Sequence, residues 1–203
     1  DGAAVFAFAP GAPSVSPLLA AIPKRQSTRA PFDGRPVAAA DLARLAEAAR
    51  IPGGDLVLVT DRAERDRLRD LVIAGNTAQM ADPAFVAELK HWIRFNPAAA
   101  LRTGDGIFSA SSGNPSLPTW LGRIMFDLTF RPGSENAKYA RQLDTSAGVA
   151  VFVAAGSGPE HWMRAGEACQ RFALQATALG LRHSFVNQPV EVASLRPELA
   201  GLV

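Results

Sequence analysis

One cysteine, Cys169, is the entire thiol content of this 203-residue chain. It excludes an internal disulfide and a cysteine-rich structural zinc site. Histidine is nearly as scarce: His91, His161 and His183 stand far apart, with no HExxH or other ligand spacing, so no metal site is expected. Long hydrophobic runs are missing as well. The longest, such as Gly148–Gly156, are strand-sized, short of the roughly 18 apolar residues of a membrane-spanning helix, and no membrane partner is expected. Charge of one sign is also lacking. Lys plus Arg is 21 and Asp plus Glu is 19, a net of +2, and no basic block extends beyond Lys24-Arg25. A nucleic-acid partner is therefore not expected. Neither a GxxxxGK[ST] loop, nor GxGxxG between strand and helix, nor a GxSxG elbow occurs, so P-loop, dinucleotide-fingerprint and hydrolase-elbow chemistry have no carrier.

What is present is globular. Hydrophobic residues are 48% and charged residues 20%, enough to bury a core over one large domain or two small ones. The first residue is Asp1 and the last Val203, and both ends read as incomplete. Ala3–Ala9 reads as a short strand and residues 10–17 as a Pro/Gly/Ser linker. Apolar periodicity predicts helices over residues 18–22, 37–50, 120–130 and 133–145, a charged helix capped by Asp61, and another opened by Asp82-Pro83. The longest helix is expected over residues 159–179, with small alanines for close packing and Gly180 as its terminator. Strands are expected at residues 55–60, 148–155 and 181–186, and a final helix around 193–202. Residues 96–118, rich in glycine and proline, read as a long irregular loop. Four short strands among six or seven helices predict an α+β or three-layer arrangement about one central sheet.

Three segments have chemistry to offer. Arg25-Gln26-Ser27-Thr28-Arg29 sets two guanidinium groups around a hydroxyl, a donor set that matches phosphate oxygens. The same five residues would also serve as a solvated linker. Residues 166–187 run from helix through a glycine stop into an extended segment that delivers Phe185, Val186, Asn187 and Gln188 to a turn, where ligands often sit; plain core packing explains them equally. Gly104-Asp105-Gly106 with residues 109–118 is either a ligand-approaching loop or an ordered surface one. Cys169 in mid-helix and His183 beside Ser184 read as structural residues.

Taken together these segments resemble the FMN-dependent nitroreductase family. Pro23 to Arg29 followed by Phe32-Asp33 is similar to its N-terminal Arg-x-Ser-x-Arg/Lys signature, and residues 166–186 to its long central helix ending in Ala-Leu-Gly-Leu. Residues 75–80, 92–96 and 117–120 are similar to the second half of the Acg-like branch, in which two nitroreductase-like halves share a chain. The resemblance implies a nitroreductase-like three-layer α+β fold, a central mixed sheet wrapped by helices. It makes residues 1–16 the strand and linker of a preceding half, and 17–203 a nitroreductase-like domain incomplete at its C-terminus. A homodimer or second half would place FMN at the seam. Arg25, Ser27 and Arg29 would hold the FMN phosphate, with Gln26 beside the flavin. Asn187 and Gln188 would approach its reactive face.

The implied chemistry is ping-pong two-electron transfer from NAD(P)H to a nitroaromatic or quinone-like acceptor. It is borne by the flavin, so no protein residue is expected to be catalytic. Two other readings stand: a catalytically silent flavin-binding or flavin-sequestering protein of the same fold, and a ligand-free half that only packs against a partner. In place of the family's Pro-Ser-Ser-x-Asn-x-Gln-Pro-Trp stretch this chain has Ile51-Pro52-Gly53-Gly54, without the side-chain amides that would contact flavin. The 104–120 loop is a candidate lid. The expected compartment is the cytoplasm, with export left open by the Asp1 start.

Overall fold

The computed structural model describes residue 7, residues 9–12 and residues 16–203. The strand expected at Ala3–Ala9 falls mainly outside the described residues. Ser16 opens helix α1 (Pro17–Ala21), its hydroxyl accepting from Leu18 N–H, and a 3-10 turn (Ile22–Lys24) follows. Helix α2 (Ala39–Ala49) leads through a tight turn to strand β1 (Gly54–Val59). Asp61 then caps α3 (Arg62–Ala81), accepting from Glu64 N–H, and Asp82 caps α4 (Pro83–Trp92), accepting from Ala84 N–H. An excursion follows: β2 (Ile93–Arg94), α5 (Pro97–Thr103), β3 (Ile107–Phe108) and a 3-10 turn (Ser109–Ser112). The chain returns through α6 (Thr119–Thr129), α7 (Pro132–Asp144), β4 (Val149–Ala154) and the long α8 (Pro159–Ala178). It finishes with α9 (Gln188–Glu191), a 3-10 turn (Ala193–Leu195) and α10 (Arg196–Ala200).

The fold is α+β, with a small strand component. Among the described residues, β1 pairs antiparallel with β4, from Gly54 opposite Ala154 to Val59 opposite Val149, and β2 pairs parallel with β3. The apolar run of β4 is half-buried rather than sealed on both faces. Helix α8 is the hub, packing on α1, α2 and both long strands. Its alanines make this possible: Ala168, Ala173 and Ala176 are almost fully buried, and a small side chain lets helices approach closely. Ala49, Ile51 and Ala168 form the centre of a core completed by Leu56, Phe152 and Phe172, the last two rings edge to face at 5.5 Å. A second helical layer joins α3 to α7 and α9. Arg69 fastens α3 to α7, bonding Asp66 and Asp70 on its own helix and Asp144 at 2.9 Å across the gap.

Four expectations are corrected. Residues 96–118 are not one irregular loop. Asn96 Oδ1 accepts Ala99 N–H at 2.8 Å, Pro97 occupies the first helical position, and Ala98–Ala100 propagate α5 until Gly104 (φ +66°) ends it. Among the described residues, the strand expected at 181–186 has a single bridge, Ser27 to His183. The final helix expected around 193–202 is a 3-10 turn followed by the short α10. Among the described residues the single sheet expected is two separate pairs.

Gly106 makes the β2–β3 pairing possible. At φ +76° it is left-handed, and a Cβ there would stand 2.4 Å from Trp92 O. The Arg94 guanidinium grips Asp105 at 2.6 Å next door and holds that carboxyl below its usual range. Gly106→Ala should therefore cost about 1–2 kcal/mol in backbone conformation alone, and Ile107 and Phe108 amides should exchange with solvent far faster in hydrogen-exchange measurements. Unchanged protection of those two amides would contradict this account of the turn.

Candidate functional site

The pentamer leaves the 3-10 turn extended, with Arg25 at φ −67°, ψ 127°. Ser27 pairs with His183, and Thr28 N–H donates to His183 O at 2.8 Å. Residues separated by more than 150 positions are thereby laid side by side. Buried Gln142 of α7 clamps the pair: its Nε2 donates to Thr28 O at 3.4 Å and to Ser184 Oγ at 3.0 Å. Thr145 fastens the pentamer's tail, its hydroxyl accepting from Phe32 N–H at 3.0 Å and its carbonyl from Gly34 N–H at 3.1 Å.

Arg25 is half-buried, while Gln26, Ser27 and Arg29 are exposed. Among the described residues neither Arg25 nor Arg29 forms an ion pair, whereas Arg62, Arg69, Arg94 and Arg164 all do. The field of Arg25 reaches His183 and the Cys169 thiol of α8. Burial and Arg25 together hold the His183 imidazole below its ordinary range, and burial pushes the Cys169 thiol up against the opposing pull of Arg25. Cys169 is thus a protonated thiol, not a nucleophile. The field of Arg29 acts on Tyr139 of α7. Burial and Glu135 raise that phenol, with Arg29 and the Gln188 side chain opposing.

Asn187 is exposed and Gln188 is 8% exposed. Gln188 lies on α3 at Gly75, where an added Cβ would stand 2.8 Å from Gln188 Cβ and 2.9 Å from its carbonyl carbon. The Gln188 Oε1 is buried without a hydrogen-bond partner, as are both ring nitrogens of His183. Glu191 steadies the turn, accepting from Gln79 Nε2 at 2.5 Å and Asn187 Nδ2 at 3.4 Å. The six expected site residues therefore lie on two segments, residues 25–29 and the turn at 187–188, the first joined by the Ser27–His183 bridge to the stretch that leads into the second. Gln142, Tyr139 and Gly75 belong to the same place and were not expected. Of the three, only the lone glycine in mid-helix carries a local signal, since it marks a close approach.

A model of the nitroreductase family matches residues 22–200. The chain belongs to the nitroreductase family. Two curated Mycobacterium tuberculosis proteins, from strains CDC 1551 and H37Rv and each bearing the name "Putative NAD(P)H nitroreductase", are 27% identical to it over 180 residues, which is 88% of this chain and 49% of each relative. The chain thus spans about half the length of the curated relatives it matches. No solved structure matches it significantly. For a nitroreductase-family site, the donor set is chemically apt: two unpaired guanidiniums and a hydroxyl suit a phosphate monoester, and a buried orphan acceptor on Gln188 suits an N–H of a bound ring. Among the described residues no group of three or more potential metal ligands occurs, and no helix is long and apolar enough to cross a membrane.

Proposed function

We propose that this chain is the flavin-binding unit of an FMN-dependent NAD(P)H oxidoreductase. The observation that supports the reading is the pairing of Ser27 with His183, which joins the pentamer to the stretch leading into the Gln188 turn. Arg25, Ser27 and Arg29 hold the phosphate of FMN, with Gln26 alongside. Asn187 and Gln188 border the ring, and the Gln188 Oε1 accepts from it. Bound FMN would supply the two-electron chemistry, from NAD(P)H to a nitroaromatic or quinone-like acceptor. The protein's share is binding, orientation and the exclusion of water, so an acid–base pair is not required of it.

The pentamer lies open on this unit, and large apolar side chains stand uncovered on α1, α6 and α8, among them Leu19, Trp120, Leu128, Trp162 and Met163. A second nitroreductase-like unit, in a homodimer or as another half, would cover such surface and complete the pocket. Loading the full chain with FMN and adding NADPH or NADH without oxygen should bleach the flavin absorption, and an added quinone should restore it.

One observation favours the silent, flavin-sequestering reading. The Ile51–Gly54 turn buries Ile51 in the core and turns at Gly53 (φ +78°), so it presents no side-chain amide. Retained flavin that neither pyridine nucleotide reduces would select that reading over the enzyme.

A further inference from the structure

His183 is built into the pentamer site and has no role in binding so far. Its main chain is fixed there by the bridge to Ser27 and the bond from Thr28. Its ring stands edge-on to Phe185 at 6.0 Å. Both Nδ1 and Nε2 are shut away from solvent with no hydrogen-bond partner, although a neutral imidazole has one donor and one acceptor to satisfy. The charged group acting on it is Arg25, from the segment beyond α1. On α8 the Cys169 thiol feels the same guanidinium. From α7 comes the neutral Gln142 amide, bound to Ser184. An orphaned imidazole beside an unpaired guanidinium has the composition of an anion site.

We propose, on the reading of residues 25–29 as the FMN-phosphate cradle, that His183 is the third basic group of that cradle, neutral before the anion arrives and taking up one proton from solvent as the anion settles on Arg25. Two forces keep the ring neutral beforehand, desolvation and the cation beside it. A phosphate cancels the second and gives an N–H of the ring an acceptor, which favours the imidazolium. Linkage then fixes the sign. Affinity for the anion is highest at low pH, falls as pH rises from the ring's free to its bound pKa, and levels off above the bound value.

The test is FMN affinity of the full chain, read from flavin fluorescence between about pH 6.5 and 8.5, where the phosphate of FMN is mostly dianionic because its second pKa is near 6. Wild type should lose roughly tenfold in affinity across one pH unit within this range. His183→Gln should show a flat profile, and riboflavin, which lacks the phosphate, should give a flat profile with wild type. A His183→Gln profile as steep as wild type overturns the proposal. So does a flat wild-type profile. Ring NMR of the unsubstituted protein reads the same event without any variant: the His183 resonances should move to imidazolium positions on adding FMN, and a ring that stays neutral refutes it. Failure to bind FMN at any pH would overturn the phosphate cradle itself, and this proposal with it. Binding whose pH slope ignores His183 would overturn the proton uptake alone.

Discussion

Replacing Arg25 and Arg29 together by alanine should weaken FMN binding roughly 10²- to 10⁴-fold, because each charged hydrogen bond contributes about 1.5–3 kcal/mol. Either single substitution should cost about 10- to 150-fold on the same scale. Both side chains are unpaired, and Arg29 is exposed, so their loss should leave thermal stability nearly unchanged. Riboflavin affinity should fall much less than FMN affinity, since the contacts are to the phosphate. Equilibrium dialysis of both flavins against wild type and the double variant checks this. Equal FMN retention in the two proteins would reduce the pentamer to a solvated linker.

The second large effect is at Gly75, in the middle of α3. Alanine normally stabilises a helix relative to glycine by about 1 kcal/mol. Here its Cβ would lie 2.8 Å from Gln188 Cβ, 2.9 Å from Gln188 C and 3.1 Å from its O. Two of these are backbone atoms and cannot rotate away. Either α9 moves off α3 or the helices strain, and overpacking of this kind costs about 1–3 kcal/mol. With the helix gain subtracted, a net loss of up to about 2 kcal/mol remains, up to roughly 8 °C in Tm for a chain of this size. Because the residue displaced is Gln188, FMN affinity should fall as well. A Gly75→Ala protein more stable than wild type, with flavin binding intact, would show that the approach of α9 to α3 is not required.

These effects also show which parts of the structure could be read from the sequence. Helix starts were legible where a cap is local: Asp61 and Asp82 each accept a backbone N–H two or three residues on, so the chain states the boundary within one turn. Asn96-Pro97 followed by three alanines carries the same signal, and the glycines and prolines around it obscured α5. Segment 181–186 has the composition of a strand, but a strand is completed by its neighbour, and among the described residues the neighbour here is only Ser27, distant in sequence. The site divides the same way. The pentamer is recognisable from its own five side chains and their fit to phosphate. Gln142 and Tyr139 come from a polar helix more than 100 residues away, and nothing near them distinguishes a clamp or a buried phenol from an ordinary solvated face. The orphaned nitrogens of His183 are likewise a product of tertiary burial.

The visible spectrum of the full-length protein as purified tests whether this chain binds FMN. The protein should be yellow, with the absorption bands of bound flavin, and should release FMN on denaturation. A colourless protein that takes up no added FMN would contradict it.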